Sequence, residues 1–216
     1  MAGICLWETG VRAEKNETGD LVIARLRYGG GGDWYNDPSA IPNLARYITA
    51  RTGMPVKDTE ARVAIGDERL FSFPVLFMTG HGRISLSDTE AARLRQYLLA
   101  GGFLYADDDY GLDPHFRKMM RHVFPDRELV ELPFSHGIYR IHFRFEHGLP
   151  KIHEHDNKPP QGFGIFDDEG RLMVFYTYET NISDGWVESE IYGNPPEIRE
   201  AALKMGTNII LWAVMH

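Results

Sequence analysis

Apolar runs broken by glycine-led turns divide the chain into alternating strands and helices. Residues Leu21 to Tyr28 read LVIARLRY, a strand that runs into Gly29-Gly30-Gly31-Gly32-Asp33-Trp34-Tyr35. A helical stretch follows from about Ser39 to Arg51, and Gly53 closes it. Pro74 to Thr79 (PVLFMT) is continuously apolar, as expected for a strand covered on both faces, and it stops at Gly80-His81-Gly82. Ser87 to Glu90 has the Ser-x-x-Glu spacing of a capping box. Ala91, Leu94 and Leu98 then carry helical spacing up to the stop at Gly101. Phe103 to Ala106 is the next strand and opens directly onto Asp107-Asp108-Asp109. A helix from about Pro114 to Val123 comes after it, with Asp113-Pro114 as its expected cap.

The second half reads as more β-like. Tyr139 to Glu146 alternates, with Tyr139, Ile141, Phe143 and Phe145 on one side and Arg140, His142, Arg144 and Glu146 on the other. This predicts a half-solvated strand near a sheet edge. Gly164 to Phe166 and Leu172 to Thr177 flank an Asp-Asp-Glu-Gly turn and predict a hairpin. Pro195-Pro196 opens a final helix whose Ile198, Ala202, Met205, Ile209 and Trp212 form one apolar stripe. Strand–helix alternation implies right-handed crossovers and a parallel sheet, hence an α/β fold. Residues 21–216 are expected to form one domain, with residues 1–20 as an N-terminal arm or extra strand.

Composition narrows the function classes. A chain of 216 residues, 43% hydrophobic and 25% charged, suits one globular domain with its own core. Its formal charge of -8 and lack of a clustered basic face argue against a nucleic-acid partner. No apolar run approaches the ~20 residues of a bilayer span, so membrane insertion is not expected. The single cysteine, Cys5, rules out an intrachain disulfide and a cysteine-based zinc site. It fits a cytoplasmic compartment, or a periplasmic one if a leader has been removed. The oligomeric state is not legible.

In open parallel sheets, ligands bind beyond the carboxyl ends of the strands. Three segments end there with unusual residues: Gly29 to Tyr35, Gly80 to Gly82 and Asp107 to Tyr110. The glycines of the first permit close backbone approach, and Gly31 and Gly32 are candidate ligand contacts. The pattern is neither G-x-G-x-x-G nor a Walker loop, and Asp33 would repel phosphate, so no nucleotide cofactor is expected. His81, between two glycines, exposes its imidazole at a strand end. Adjacent Asp107, Asp108 and Asp109 repel one another and call for a cation, an arginine or a hydroxyl-rich ligand. His81, Asp107, Asp108 and Asp109 are therefore candidate ligands for a divalent metal, and His81 and Asp108 are candidate catalytic groups. Asp33, Trp34, Tyr35, Tyr110 and His136 complete the expected pocket, with the aromatic rings offering a platform to a sugar. Glu179, Asn181, Asp184 and Trp186 form a further polar segment of that kind. His153-x-His155-Asp156 looks like a metal fragment but is expected to be an exposed loop. No G-x-S-x-G elbow occurs, and Cys5 has no base beside it.

The runs RLRYGGGGDWYNDP, VLFMTGHG and LRQYLLAGGFLYADDDYG, in this order, resemble the uncharacterised bacterial family called domain of unknown function 4159. GFGIFDDEGRLMVFYT and KMGTNIILWAV resemble it too, so the likeness runs from about Leu21 onward. The resemblance implies a three-layer α/β sandwich with a mainly parallel sheet. Such a sandwich is flavodoxin-like, as in the class I glutamine amidotransferase-like superfamily, and close in layout to its trehalose-utilisation-type members. In true amidotransferases a cysteine occupies the turn that here, after Gly101-Gly102-Phe103-Leu104-Tyr105-Ala106, carries Asp107-Asp108-Asp109. Thiol-based glutamine hydrolysis is accordingly not expected. Some relatives are fused to membrane-anchored regions, which leaves the compartment open. The expected function is binding of a small polar ligand such as a carbohydrate. The alternatives are a metal-assisted hydrolase using the Asp/His cluster, and a protein-interaction module, which would show a large exposed apolar patch.

Overall fold

The computed structural model describes residues 19–216. Cys5 and all but the last two residues of the expected N-terminal arm lie outside the described residues. The elements in chain order are β1 (Ile23–Arg27), α1 (Ala40–Thr52), β2 (Ala61–Ala64), β3 (Val75–Met78), α2 (Asp88–Leu99), β4 (Phe103–Asp107), α3 (Asp113–Val123), β5 (Val130–Glu131), β6 (Gln161–Phe166), β7 (Leu172–Tyr178), α4 (Ser189–Tyr192) and α5 (Pro196–Met215).

One seven-stranded sheet has the order β2-β1-β3-β4-β7-β6-β5. The five strands from β2 to β7 are parallel neighbours, while β6 and β5 are added antiparallel. Every residue of β3 and β4 is buried, because helices cover both faces. The strand pleat sorts the side chains. Leu76, Met78, Leu104 and Ala106 join Leu94, Leu98, Phe116 and Met120 of α2 and α3. Val75, Phe77, Phe103 and Tyr105 join Leu44, Ile48, Met205 and Ile209 of α1 and α5. The molecule is thus three layers, helices–sheet–helices, with a core on each side. Among the described residues, no helix is long and apolar enough to cross a membrane.

Local sequence accounts for most boundaries. Gly53 takes a left-handed conformation and its N–H bonds the Thr49 carbonyl, ending α1. Ser87 and Glu90 form the capping box of α2. The hairpin of β6 and β7 turns over Asp167 to Gly170.

Two expectations are corrected, and one strand is added that the sequence pattern did not predict. Tyr139 to Glu146 is not a strand. A short 3-10 turn (Gly137–Tyr139) leads into irregular backbone, because the buried Asn208 of α5 takes both backbone groups of Phe143. Its Oδ1 accepts from the Phe143 N–H at 2.9 Å and its Nδ2 donates to the Phe143 carbonyl at 2.7 Å. The sheet edge is formed instead by Val130–Glu131. The cap of α3 is not Asp113-Pro114. Asp108 accepts from the N–H groups of Leu112 and Asp113 at 2.8 and 3.0 Å, while Asp113 accepts from Arg117 and Tyr176. Strand β2, with only Val63 fully buried, carries too weak a pattern to be read.

Candidate functional site

The carboxyl ends of β1, β3, β4 and β7 open onto one edge, and the chain leaves each of them in a loop carrying polar side chains. The glycine-rich loop after β1 folds against the loop after β3. Gly32 N–H donates to the Arg83 carbonyl at 3.1 Å and Asp33 N–H to the His81 carbonyl at 3.3 Å. Gly30 has φ +107°, and a Cβ there would lie 2.7 Å from the Ser85 nitrogen, so glycine is required. The backbone donors of Gly32 and Asp33 are thereby consumed internally, and neither is turned toward an anion. The pairing sets His81 against Asp33. His81 N–H donates to Asp33 Oδ1, and His81 Nδ1 lies 3.0 Å from Asp33 Oδ2 and 3.5 Å from Asp109 Oδ2.

The three adjacent aspartates take different partners, since β4 ends at Asp107 and the chain turns away after it. Asp107, fully buried, accepts from the Ser183 N–H and hydroxyl at 2.6 and 2.7 Å. Asp108 caps α3, as described above. Asp109 bonds the side-chain amides of two loop residues. Its Oδ1 accepts from Asn181 Nδ2 at 2.9 Å and its Oδ2 from the Asn36 amide. Burial raises Asp107 to about 6 and Asp108 to about 7. Burial, followed by the charge of Asp184, pushes Asp109 up to about 8.

Two carboxylates that the sequence did not single out as ligands meet Asp109. Asp37 follows the glycine loop, and Asp184 lies in the loop after β7. Asp37, Asp109 and Asp184 are all buried, and each offers an oxygen within 4.8 Å of those of the other two. Asp37 accepts from Tyr192 Oη at 2.9 Å, and burial also raises its pKa. Asp184 Oδ2 accepts from Asn181 Nδ2 at 3.1 Å and meets His153 Nδ1 at 2.8 Å. His153 and His81 are both raised. For His153 the Asp184 hydrogen bond dominates; for His81 burial opposes, but the charge of Asp109 and the Asp33 contact prevail. These three carboxylates are the group that could hold a metal ion.

Arg25 anchors this arrangement from inside β1. Fully buried, it pairs with Glu60 at 2.6 Å and donates to the carbonyls of Trp34 and Asp37 at 3.3 and 3.1 Å. A charged residue inside an otherwise apolar strand is the signal that could have marked it. The loop of His153 to Asp156, expected to be merely exposed, is tied to the site, as is Lys151 just before it. Lys151 bonds the buried Glu179 at 3.1 Å, and His155 Nε2 lies 2.6 Å from Asn181 Oδ1. The ring of Tyr110 stacks on His155 with centroids 4.6 Å apart, while half of Tyr110 stays exposed. Tyr35 is also exposed. Four of the five non-glycine residues with positive φ among those described belong to these loops: Asp37, Tyr110, Glu179 and Asn181. Each such residue costs about 1–3 kcal/mol and persists only where surrounding structure holds it.

Other expected pocket members go elsewhere. His136 caps the 3-10 turn through the Ile138 N–H and packs on Trp212 and Phe166. Phe166 pairs with Leu172 at the start of β7, so His136 sits at the opposite end of the strands. Trp34 lies between the guanidinium groups of Arg27 and Arg62, and Trp186 is buried on Phe77 and Tyr105. Neither presents a platform at the site. A cavity of about 260 Å³ is lined by Tyr139, Arg140, Arg144, Phe145 and Glu146, none of which belongs to the acid cluster.

No curated protein matches the chain in sequence. The family described as "Domain of unknown function (DUF4159)" matches residues 22–214, which take in every strand of the sheet and every loop of the site. The chain belongs to the DUF4159 family.

Proposed function

We propose that the carboxyl edge of the parallel sheet binds a small polar, hydroxyl-rich ligand such as a sugar or polyol. The observation that carries this reading is an exposed aromatic rim, Tyr110 on His155, directly above buried hydrogen-bonding groups of Asp109, Asn181 and Asp184. Sites of this kind combine ring faces for stacking with a few fixed polar groups for orientation. The four positive-φ residues add support, because strain of this kind collects where function holds it. The frame we propose is the flavodoxin-like layout of the amidotransferase-like superfamily. The order β2-β1-β3-β4-β7 of its five parallel strands supports it. In that frame the turn Asp107-Asp108-Asp109 corresponds to the one where a thiol enzyme would carry its cysteine.

The test is a thermal-shift and saturation-transfer NMR panel of monosaccharides, disaccharides and polyols on the parent and on Tyr110→Ala. At least one compound should raise the parent's melting temperature and lose its effect in a folded Tyr110→Ala. A panel with no response, or an equal response in the variant, refutes the reading. A second reading, hydrolysis at the same edge, is favoured by the Asp33–His81 pair. An imidazole held at Nδ1 by a carboxylate is oriented to work as a base through Nε2.

A further inference from the structure

Three buried carboxylates in mutual reach repel one another unless something positive lies between them. The ion pairs that reach Asp109 and Asp184 come from histidines, His81 and His153, and Asp37 is met by the Tyr192 hydroxyl. The buried guanidinium nearby, Arg25, is committed to Glu60 and to the main-chain carbonyls of Trp34 and Asp37. The carboxylates are therefore held together without a lysine or arginine partner among the contacts described. A second observation is independent of charge. Asp184 is 2% exposed, and its Oδ1 has no hydrogen-bond partner. The buried Oδ1 of Asn36, whose amide nitrogen donates to Asp109, is without a partner as well. A buried acceptor left unpaired is destabilising, and here one such oxygen belongs to the cluster and the other to a side chain bonded to it.

We infer that Asp37, Asp109 and Asp184 bind one hard divalent cation, with the side-chain carbonyl of Asn36 as a further oxygen ligand. The inference takes the ligand-site reading of this edge as its basis and names the ion that serves it. The donor set is all oxygen, which selects calcium, manganese or magnesium over zinc or copper. Oxygens that all lie within 4.8 Å of one another are near enough to share one ion at the ~2.3–2.6 Å of calcium ligation. His153 and His81 then act as outer partners that orient Asp184 and Asp109, the usual support for ligating carboxylates. A bound ligand's hydroxyl groups would complete the ion's coordination.

The experiment is calorimetric titration of calcium, manganese and magnesium chlorides into the full chain stripped with EDTA, with manganese followed in parallel by electron paramagnetic resonance. Asp184→Asn, Asp109→Asn and the exposed control Asp126→Asn are titrated beside it. The expected result is one saturable ion per chain, unchanged in Asp126→Asn and weakened more than ~10-fold in the two site variants. Melting temperatures of the stripped proteins keep the result interpretable. A site variant that still melts cooperatively when stripped is folded, and lost binding is then not lost folding. Absence of saturable binding up to millimolar ion overturns the inference, as does equal binding by parent and both variants. A sugar response together with no saturable ion binding overturns the inference while leaving the ligand reading standing. An ion that binds with no responding sugar supports the inference and removes the sugar.

Discussion

Replacing Asp109 by asparagine should invert the order of stability between acid and alkaline pH. In the metal-free protein, burial and Asp184 hold the Asp109 carboxyl near 8, against ~3.9 in an unfolded chain. Between those values the native state retains a proton that the unfolded state has released. Stability contributed by the protonated form is therefore complete below pH ~4 and is lost as pH rises toward 8. Each pH unit in the middle of that interval is worth ~1.4 kcal/mol, a ceiling of about 5–6 kcal/mol over the whole of it. Water entry and carboxylate rearrangement reduce this to on the order of 2–3 kcal/mol. Asparagine cannot ionise, so this loss disappears. In exchange, one acceptor oxygen replaces two where the amides of Asn36 and Asn181 both donate, at a cost of about 1 kcal/mol. Asp109→Asn should thus be about 1 kcal/mol less stable than the parent at pH 4.5 and about 1–2 kcal/mol more stable at pH 8.5. His81 acts in the same sense. Burial lowers its pKa, but the charge of Asp109 and the Asp33 contact raise it, so His81 and Asp109 titrate as one pair rather than as two separate contributions. Urea denaturation in EDTA, followed by tryptophan fluorescence from pH 4.5 to 8.5, measures this directly. Parallel curves that never cross would refute the reasoning. Millimolar calcium should lift the parent selectively at pH 8.5, where the carboxylates it binds are ionised.

The remaining predictions concern what holds the site in place. Asn208→Leu should cost about 2–4 kcal/mol in urea denaturation, because both backbone groups of Phe143 lose their partner; a cost under about 0.5 kcal/mol would mean that water replaces the clamp. Gly30→Ala should cost at least about 2 kcal/mol, since φ +107° and the backbone of Ser85 both exclude a Cβ, and NMR should show His81 displaced from Asp33. Glu60→Ala leaves the buried Arg25 unpaired and should cost about 3–5 kcal/mol, with a smaller loss for Glu60→Gln.

The layers of this fold were legible because buried parallel strands are written as continuous apolar runs. PVLFMT and FLYAD are each bounded by glycines or acids, and the helices between them carry their own caps. From the order of those elements followed the edge where loops gather, and His81, Asp33 and Asp109 do meet there. What the order could not supply was direction. Adjacent Asp107, Asp108 and Asp109 look equivalent in sequence, but the end of β4 and the turn after it send one to Ser183, one to the start of α3 and one to the site. Asp37 and Asp184 lie in irregular loops with no periodicity, so only tertiary packing shows that they join Asp109. The false strand at Tyr139 to Glu146 has the same origin. Its alternation is real, but Asn208, more than 60 residues away, takes the hydrogen bonds that a neighbouring strand would need.

The buried guanidinium of Arg25 has a consequence beyond the loop it anchors. One side chain grips Glu60, at the threshold of the outermost parallel strand, and also the carbonyl of Asp37, beside the acid cluster. Any occupant that tightens Asp37 also tightens the grip on the lateral border of the sheet, some distance from where it sits. Amide hydrogen exchange along Ala61–Ala64 should therefore slow when the site fills. By reciprocity, loosening that border should weaken the occupant's hold. A spectator strand with no functional side chain of its own would serve as a gauge of occupancy.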